Sequence, residues 1–276
     1  MNTVLQCAVM LFVVLSGVPG YALERLVLYD DFNAAHIDPD KWFGVESGGP
    51  GTEAIRQLQD QRLSQVYRGY GKTDSDSGRS RNELLLIFRN SAAVTAIQAT
   101  VQVADVAATG CSGNPKATEA MAMLGGLFFN TAAPVPGSTE NDVVAGIGIL
   151  RASGATDPPD VLRAVSFVLH CMNADCTTDS ALHSKDLGPV KRGAMARLRV
   201  QWDRDTHRFI FQRDDNPEVV ALYTVSDTAP PGLQAKILDT VHLVPNCTAS
   251  PQPVAFIEAF FDDVMVNESA VPRAGR

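Results

Sequence analysis

The sequence predicts an all-β protein, either a sandwich or a barrel, on three observations. Short apolar segments recur at roughly 8–12-residue spacing and are separated by Gly, Pro, Asn and Asp residues. Two of these segments, residues 94–106 and 194–202, alternate with a period of two, which places every second side chain on one face of a strand. No stretch keeps a helical periodicity for more than a turn or two. We therefore expect strands throughout and almost no helix.

Residues 1–22 are predicted to be a secretory signal peptide. The segment has no charged side chain, is apolar from Val4 to Val18 and ends in the small-residue sequence Gly20-Tyr21-Ala22. A membrane anchor is the alternative, but the apolar run is shorter than the ~20 residues that a membrane span needs. We expect cleavage, no membrane span afterwards, and a mature chain that is secreted or periplasmic.

Residues 23–270 are expected to form one β domain, and residues 271–276 a frayed tail. A chain of this size buries a large core as one unit, and neither an internal repeat nor a low-complexity linker divides it. The net charge of −8 disfavours nucleic acid and anionic membrane surfaces as partners. The oligomeric state stays open.

Four of the five cysteines lie in the mature chain, at positions 111, 171, 176 and 247. An even number in an exported protein indicates two disulfides, for which three connectivities exist. Cys171 and Cys176 close a short loop, which leaves Cys111 to pair with Cys247. The alternative is a metal site with four possible ligands, His170, Cys171, Cys176 and His183, but the spacing matches no common zinc pattern.

The first half of the mature chain alternates strands with polar loops. Residues 25–32 form an apolar strand that ends in an acidic pair, and Pro39 sets up the following turn. Residues 54–70 fit an exposed strand or a short helix, and a strand is the preferred prediction. Residues 71–82 contain almost no apolar side chain and are predicted to be a surface loop. The next strands are residues 84–88 and 94–106.

A hairpin occupies residues 121–151, where two apolar arms are joined by a Pro/Gly turn. Phe128 and Phe129 are adjacent in the first arm, so we expect their side chains on opposite faces. Glu140 and Asp142 begin the second arm. This is the only place where acidic residues stand at alternate positions beside an apolar strand.

The remaining strands are joined by short turns. Residues 194–202 place Leu198, Val200 and Trp202 on one face, so core packing is the expected role of Trp202. Residues 187–189, Leu-Gly-Pro, are expected to turn the chain. The other predicted strands are residues 161–171, 208–212, 219–225, 240–244 and 254–266.

Three short motifs, in this order along the chain, carry a resemblance to a known superfamily. Residues 29–32 (YDDF) with 37–42 (IDPDKW) begin it, residues 198–202 with 208–211 form a hairpin, and residues 261–266 (FDDVMV) close it. Together they resemble the concanavalin A-like lectin/glucanase superfamily, which includes laminin-G-like modules and laminarinase-type glycoside hydrolases. The resemblance implies a jelly roll, a two-sheet antiparallel β-sandwich with adjacent first and last strands. It also implies a sugar groove on the concave sheet.

The glucanase branch of this superfamily uses a strand of the pattern Glu-x-Asp-x-Glu, with or without a bulge before the last Glu. By this resemblance Glu140 matches the nucleophile and Asp142 the middle carboxylate. The third acid falls on Val144, or on Ala145 with a bulge, and neither can donate a proton. The loss of a general acid costs ~10²–10⁴ in rate, so we expect no hydrolysis by that mechanism. The alternative is that the turn itself extends to Thr139, which leaves Glu140 at its rim.

Aromatic residues near loops are the candidate platforms for stacking on a sugar ring. Trp42, Tyr67 and Tyr70 are the best placed of these, although Trp42 could instead seal one end of the sandwich. With Glu140 and Asp142 they form the predicted ligand-binding set.

Calcium is the only cofactor that the resemblance implies, as a structural ion. Members of the superfamily often bind Ca²⁺ through an Asp of the last strand, which matches Asp262, and hard oxygen ligands suit this ion. Asp30, Asp31 and Asp263 lie in the same two motifs. The alternative is that all four carboxylates are solvated at a sheet edge, and no cofactor is certain.

Three functions are compatible with the sequence. The first is a secreted, non-catalytic, lectin-like module whose partner is a carbohydrate or glycoconjugate. The second is a laminarinase-like glycoside hydrolase or polysaccharide lyase with a displaced or incomplete set of acids. The third is a structural or adhesion domain of the cell envelope. The missing carboxylate at Val144 or Ala145 favours the first and argues against an enzyme.

Overall fold

Alternating apolar and polar residues produce long strands in the computed structural model, which describes residues 24–47 and 52–271. The signal peptide predicted at residues 1–22 and residues 272–276 of the predicted tail lie outside this range. Fifteen strands are present in it. They are β1 (Leu26–Asp30), β2 (Trp42–Ser47), β3 (Glu53–Gln59), β4 (Arg62–Tyr70), β5 (Arg79–Phe88), β6 (Ala96–Ala108), β7 (Glu119–Asn130), β8 (Asp142–Ala152), β9 (Val161–Cys171), β10 (Asp179–Lys191), β11 (Met195–Asp203), β12 (Arg208–Arg213), β13 (Val219–Leu222), β14 (Lys236–Pro245) and β15 (Val254–Asn267).

The strands form two antiparallel sheets that pack as a jelly-roll sandwich, as predicted. An eight-stranded sheet has the order β13-β12-β11-β6-β15-β4-β3, with β1 also paired to β15. A seven-stranded sheet has the order β10-β9-β8-β7-β14-β5-β2. The expected pairing of the first and last strands is confirmed, since Leu26 of β1 lies opposite Asn267 of β15.

The core lies between the two sheets and follows the predicted alternation. In β6 the inward residues Ile97, Ala99 and Val101 are fully buried, and Leu198 and Val200 of β11 pack beside them. A second, smaller apolar cluster covers the outer face of the seven-stranded sheet. It consists of Ile87, Met123, Leu127, Ala235, Ile237 and Val241. This face therefore carries apolar side chains on the side away from the core.

Several local expectations differ from the structure in extent, although the preferred strand at residues 54–70 is confirmed as two strands. Residues 54–70 fall in a hairpin, β3–β4, because Asp60 and Gln61 adopt positive φ and reverse the chain. The predicted loop at residues 71–82 is shorter than expected, because β5 begins at Arg79. The first residues of β5 are polar, and they pair with β14. Residues 187–189 continue β10, which absorbs Gly188 in a register shift.

Both predicted disulfides are present. Cys111 bonds to Cys247 across 136 residues of sequence, and Cys171 bonds to Cys176 across five. The short bridge closes the loop after β9 at the edge of the seven-stranded sheet. In the part of the chain that the structure describes, no helix is long and apolar enough to cross a membrane.

Candidate functional site

A groove of about 430 Å³ lies on the outer face of the seven-stranded sheet, and we call it the sheet groove. Its floor is aliphatic and its rim is polar. The floor includes Leu85, Leu127, Val144 and Ile237. The rim includes Arg81, Glu83, Thr139, Asp175 and Thr177, with the Cys171–Cys176 loop on one side. A concave apolar pocket with a few polar groups is the usual form of a ligand site.

The strand register explains why the groove lies there. Leu127 of β7 and Val144 of β8 are paired and point outward, away from the core. Next to them Gly125 pairs with Gly146, and the side chains of Met123 and Phe167 pack over Gly146. Gly126 is required by close approach, because a Cβ at that position would lie 2.1 Å from the Ala235 carbonyl oxygen.

Asp142 is fully buried and does not face an open groove. Its carboxylate accepts hydrogen bonds from Asn130 Nδ2 at 2.7 Å and from the Gly232 backbone N–H at 2.9 and 3.1 Å. The Leu233 N–H lies at 3.4 Å. Burial raises the pKa of Asp142 against the effect of these donors. The side chain fastens the β7–β8 hairpin to the loop before β14, which corrects its predicted role as a ligand-binding or catalytic carboxylate.

Glu140 is exposed and lies in the β7–β8 turn, outside the strand. Asn141 follows with a φ of 64°, and β8 begins only at Asp142. The alternation that would place Glu140 and Asp142 side by side therefore does not apply. The groove rim here is formed by Gly137 and Thr139 instead. Glu140 thus lies at the edge of the turn, as the alternative turn assignment predicted, and does not line the groove.

Neither position expected for a third acid carries one. Val144 lines the groove floor, and Ala145 points into the core with no exposed surface. The three-carboxylate row of the glucanase pattern is thus reduced to an exposed turn residue, a buried hydrogen-bond acceptor and an aliphatic side chain.

Another acidic pair lies under the groove rim, on β5 and β14. Glu83 lines the groove and receives a hydrogen bond from Arg81 Nε at 2.6 Å. Asp239 has no exposed surface, and its Oδ1 accepts a bond from the Leu84 N–H at 3.2 Å. Burial, followed by the charge of Glu83, raises the pKa of Asp239 well above its ordinary value. The pair combines a buried acid of raised pKa with an acid that lines the groove, but Asp239 cannot touch a ligand in the groove.

The predicted aromatic platforms are not gathered at the groove. Trp42 is only 1% exposed, and its Nε1 donates to Asp30 Oδ2 at 2.6 Å, so it seals one end of the sandwich. Tyr67 is also 1% exposed and stacks on His242 in the core. Tyr70 is 37% exposed but belongs to the eight-stranded sheet. Trp42 and Tyr67 are therefore corrected from ligand-binding to core residues.

Asp262, the predicted calcium ligand, accepts a hydrogen bond from the Asp263 N–H at 2.8 Å. Burial and the charge of Asp263, and to a smaller extent that of Asp31, raise the pKa of Asp262. A cation would relieve this repulsion. Asp30 is already bonded to Trp42 and to the Phe32 N–H. In residues 24–47 and 52–271, the one group of three potential metal ligands within 4.8 Å is Asp76 with the disulfide Cys111–Cys247. The calcium site stays a prediction.

A second cavity, of about 230 Å³, opens beside the first and was not anticipated from the sequence. We call it the end cleft. Phe128, Trp202, Arg204, Asp227 and Lys236 are among its lining residues. Phe128 reaches it because a bulge between Leu127 and Phe129 turns both phenylalanines inward, contrary to the expected opposite faces.

A chain of hydrogen bonds fixes the polar side of the end cleft. Trp202 Nε1 donates to the Tyr223 hydroxyl at 2.7 Å, and that hydroxyl donates to Asp227 Oδ2 at 2.6 Å. His207 Nδ1 lies 3.0 Å from the same oxygen. Trp202 is thus only partly a core residue. It packs against the core and also presents a surface to the cleft.

Lys236 is the most unusual residue of the end cleft. Its side chain is buried, and its Nζ donates to the Leu127 carbonyl oxygen and lies 4.3 Å from the centre of the Phe128 ring. Burial lowers the pKa of this amine to about 7, and Asp142 compensates only partly. The sequence signal was a lone lysine just before the apolar run of β14, which by itself indicates nothing specific.

No protein-family model matches the chain, and no curated protein matches it. Solved structures similar to it include a GlcNAcα1-4Gal-releasing endo-β-galactosidase from Clostridium perfringens (12% identity, 90% of this chain, 63% of that chain, TM-score 0.43). Another is LamAcat from Zobellia galactanivorans (10% identity, 87% of this chain, 97% of that chain, TM-score 0.42). A third is a legume lectin-like domain from Entamoeba histolytica (10% identity, 86% of this chain, 96% of that chain, TM-score 0.33). The chain thus spans just under two thirds of the first of these.

Proposed function

We propose that the chain binds a carbohydrate or glycoconjugate in the sheet groove without cleaving it, as a secreted or periplasmic protein. One observation carries the proposal: an open groove lies on the outer face of the sheet that contains β8, the strand matched by the resemblance to the catalytic strand, and neither Glu140 nor Asp142 lines it. Asp142 is committed to backbone donors, and Val144 stands at the third position.

The chemistry of the groove suits a sugar ring with hydroxyl groups at its edge. An aliphatic floor can pack against ring C–H groups. The rim offers a guanidinium at Arg81, a carboxylate at Glu83 and hydroxyls at Thr139 and Thr177, which can bond to hydroxyl groups. Arrangements of this kind orient a ligand through a few polar contacts around an apolar surface.

Glycan-array binding tests the proposal with two matched substitutions. Val144→Arg places a long charged side chain in the groove floor, and we expect it to abolish binding. Val165→Arg is the control, because Val165 is half-buried on the same outer face, opposite Gly148, and does not line the groove. Silence of the unmodified protein on plant, algal and bacterial glycans would overturn the proposal. A protein partner captured without any glycan signal would favour an adhesion domain instead.

A second function, a hydrolase or lyase with displaced acids, is favoured by Glu83 beside the buried Asp239, whose pKa is raised. It requires Asp239 to become accessible, since the residue has no exposed surface. Release of reducing or unsaturated ends from mixed β-glucans and uronans distinguishes the two functions. We expect no release. Release that is lost on Glu83→Gln but kept on Glu140→Gln would establish the displaced acids, whereas loss on Glu140→Gln would restore the superfamily pattern.

A further inference from the structure

Lys236 combines features that are rare for a lysine. It is 3% exposed, yet it lines a cavity open to solvent. Among the described residues, no carboxylate lies within ion-pair distance of its amine, and its one hydrogen bond is to the Leu127 carbonyl oxygen. A buried ammonium with a single acceptor is costly, because desolvation disfavours the charged form. The neutral amine is the form that this environment favours.

The charged groups around the amine do not reverse this preference. Asp142 on β8 is the one acid that acts appreciably on Lys236, and its oxygens are already occupied by backbone donors. Asp227 lies in the cleft wall but is held by Tyr223 and His207. Arg204 is a further charged residue in the lining of the cleft. A neutral amine has a lone pair and is a nucleophile, which is how lysines desolvated in apolar pockets react with carbonyl compounds.

We propose that the end cleft captures a small carbonyl compound, an aldehyde or a 2-oxo acid, as a Schiff base on Lys236. The amine adds to the carbonyl carbon, and a C–N bond forms. The carbonyl oxygen then leaves as water with the two protons of the amine, which gives the imine without any oxidant or reductant. Phe128 and Trp202 are the apolar walls against which the carbon chain packs.

Arg204 gives the ligand class its second element. Its exposed guanidinium stands in the lining of the cleft, and Arg pairs with carboxylates through two parallel hydrogen bonds. A 2-oxo acid offers a carbonyl to Lys236 and a carboxylate to Arg204. A neutral aldehyde offers only the first, so a comparison of the two measures what Arg204 contributes.

Reductive trapping of the full chain tests this inference. The folded protein is incubated with glyoxylate or propionaldehyde and cyanoborohydride at pH 7.5, and the alkylated lysines are located by peptide mass spectrometry. An ordinary surface lysine is about one part in 10³ neutral at that pH, whereas an amine with a pKa of about 7 is mostly neutral. We expect Lys236 to react at least about tenfold faster than the exposed Lys72, Lys116 and Lys191. Arg204→Gln should slow glyoxylate more than propionaldehyde.

Two outcomes would overturn the inference. One is alkylation of surface lysines with Lys236 untouched in the folded chain but reactive in urea. The other is a Lys236 rate that keeps rising steeply above pH 8, as for an ordinary lysine. Neither needs a substituted protein. Lys236→Arg retains a donor for Leu127 and serves as the unreactive control. Val144→Arg should leave the labelling of Lys236 unchanged. The result of the trapping experiment is therefore independent of glycan binding in the sheet groove.

Discussion

The sheet groove and the end cleft are separated by a single stretch of backbone, and the stretch gives each cavity opposite chemistry. Residues 233, 235 and 237 line the groove with Leu, Ala and Ile, while residues 234 and 236 line the cleft with Gln and Lys. Alternate side chains of an extended segment point to opposite sides. The segment of residues 233–237, which leads into β14, therefore forms an aliphatic wall of the sheet groove on one side and an amine-bearing wall of the end cleft on the other.

The difference between the two cavities shows where motif-based inference is strong and where it fails. At the groove, the sequence offered a recognisable acidic pattern, and the structure uses its central member as an internal hydrogen-bond acceptor. At the cleft, no motif was present, yet the structure gathers a buried amine, a guanidinium and a Trp–Tyr–Asp–His network. Both cavities depend on Asp142, because it holds Gly232 and Leu233 at the start of the shared wall.

Removal of the Asp142 carboxylate should therefore have the largest effect on both cavities. Asp142→Ala leaves the buried amide of Asn130 and the part-buried N–H groups of Gly232 and Leu233 without their acceptor, and an unsatisfied buried donor costs ~1–3 kcal/mol. We expect a loss of about 3 kcal/mol in the free energy of unfolding in urea, together with weaker glycan binding and altered Lys236 labelling.

Glu140→Ala is the matched control for this change. Glu140 lies two residues away and is exposed, and its carboxylate accepts no hydrogen bond in the described part of the chain. The substitution should therefore change the free energy of unfolding by no more than about 0.5 kcal/mol. Equal effects of the two substitutions would show that Asp142 does not fasten the loop. They would also restore the view of the two acids as one functional pair.

Much of the fold followed from the sequence because burial enforces a period of two. The strand at Val161–Cys171 was predicted at its observed limits, and the inward faces of β6 and β11 were assigned correctly. Strands β2 and β10 were missed. Both are edge strands of the seven-stranded sheet, where one side of the strand has no partner and polar residues are tolerated.

The candidate sites were less predictable, because they depend on bulges and long-range contacts. A bulge turned Phe128 toward the cleft, and a positive φ at Asn141 moved Glu140 out of the strand. Neither feature leaves a periodic signal. Trp42 and Tyr67 looked like loop aromatics, but their partners Asp30 and His242 are 12 and 175 positions away, the second too far for any local pattern.

The pH dependence of the unfolding free energy tests whether the amine of Lys236 in the end cleft is neutral. The ordinary pKa of Lys236 is 10.5, and in the folded chain it falls to about 7. Between these values the unfolded chain binds the proton and the folded chain releases it, so a rise in pH favours folding. Below about pH 7 both states are protonated and this dependence disappears.

Lys236→Met should remove this contribution. We expect the unfolding free energy of the unmodified protein to rise relative to the variant by up to about 1.4 kcal/mol per pH unit between pH 7.5 and 9. Urea titrations of both proteins at three pH values measure the difference. A constant difference over this range would mean that the amine is protonated in the folded state, and the cleft would then hold a buried ammonium in place of the neutral amine.

Calcium gives the smallest expected effect and a control that lies outside both cavities. Asp262 is near the charges of Asp31 and Asp263, which together with burial raise its pKa, so a divalent cation should bind there weakly and relieve the repulsion. At a concentration ten times its dissociation constant, an ion stabilises the folded state by about 1.4 kcal/mol. Thermal unfolding with calcium or with EDTA measures this shift, which Asp262→Asn should abolish.

Because the site is built from β1 and β15, EDTA should change neither glycan binding nor the labelling of Lys236. A loss of glycan binding or of Lys236 labelling with EDTA would show that the cavities depend on the calcium site at Asp262, and would contradict this prediction.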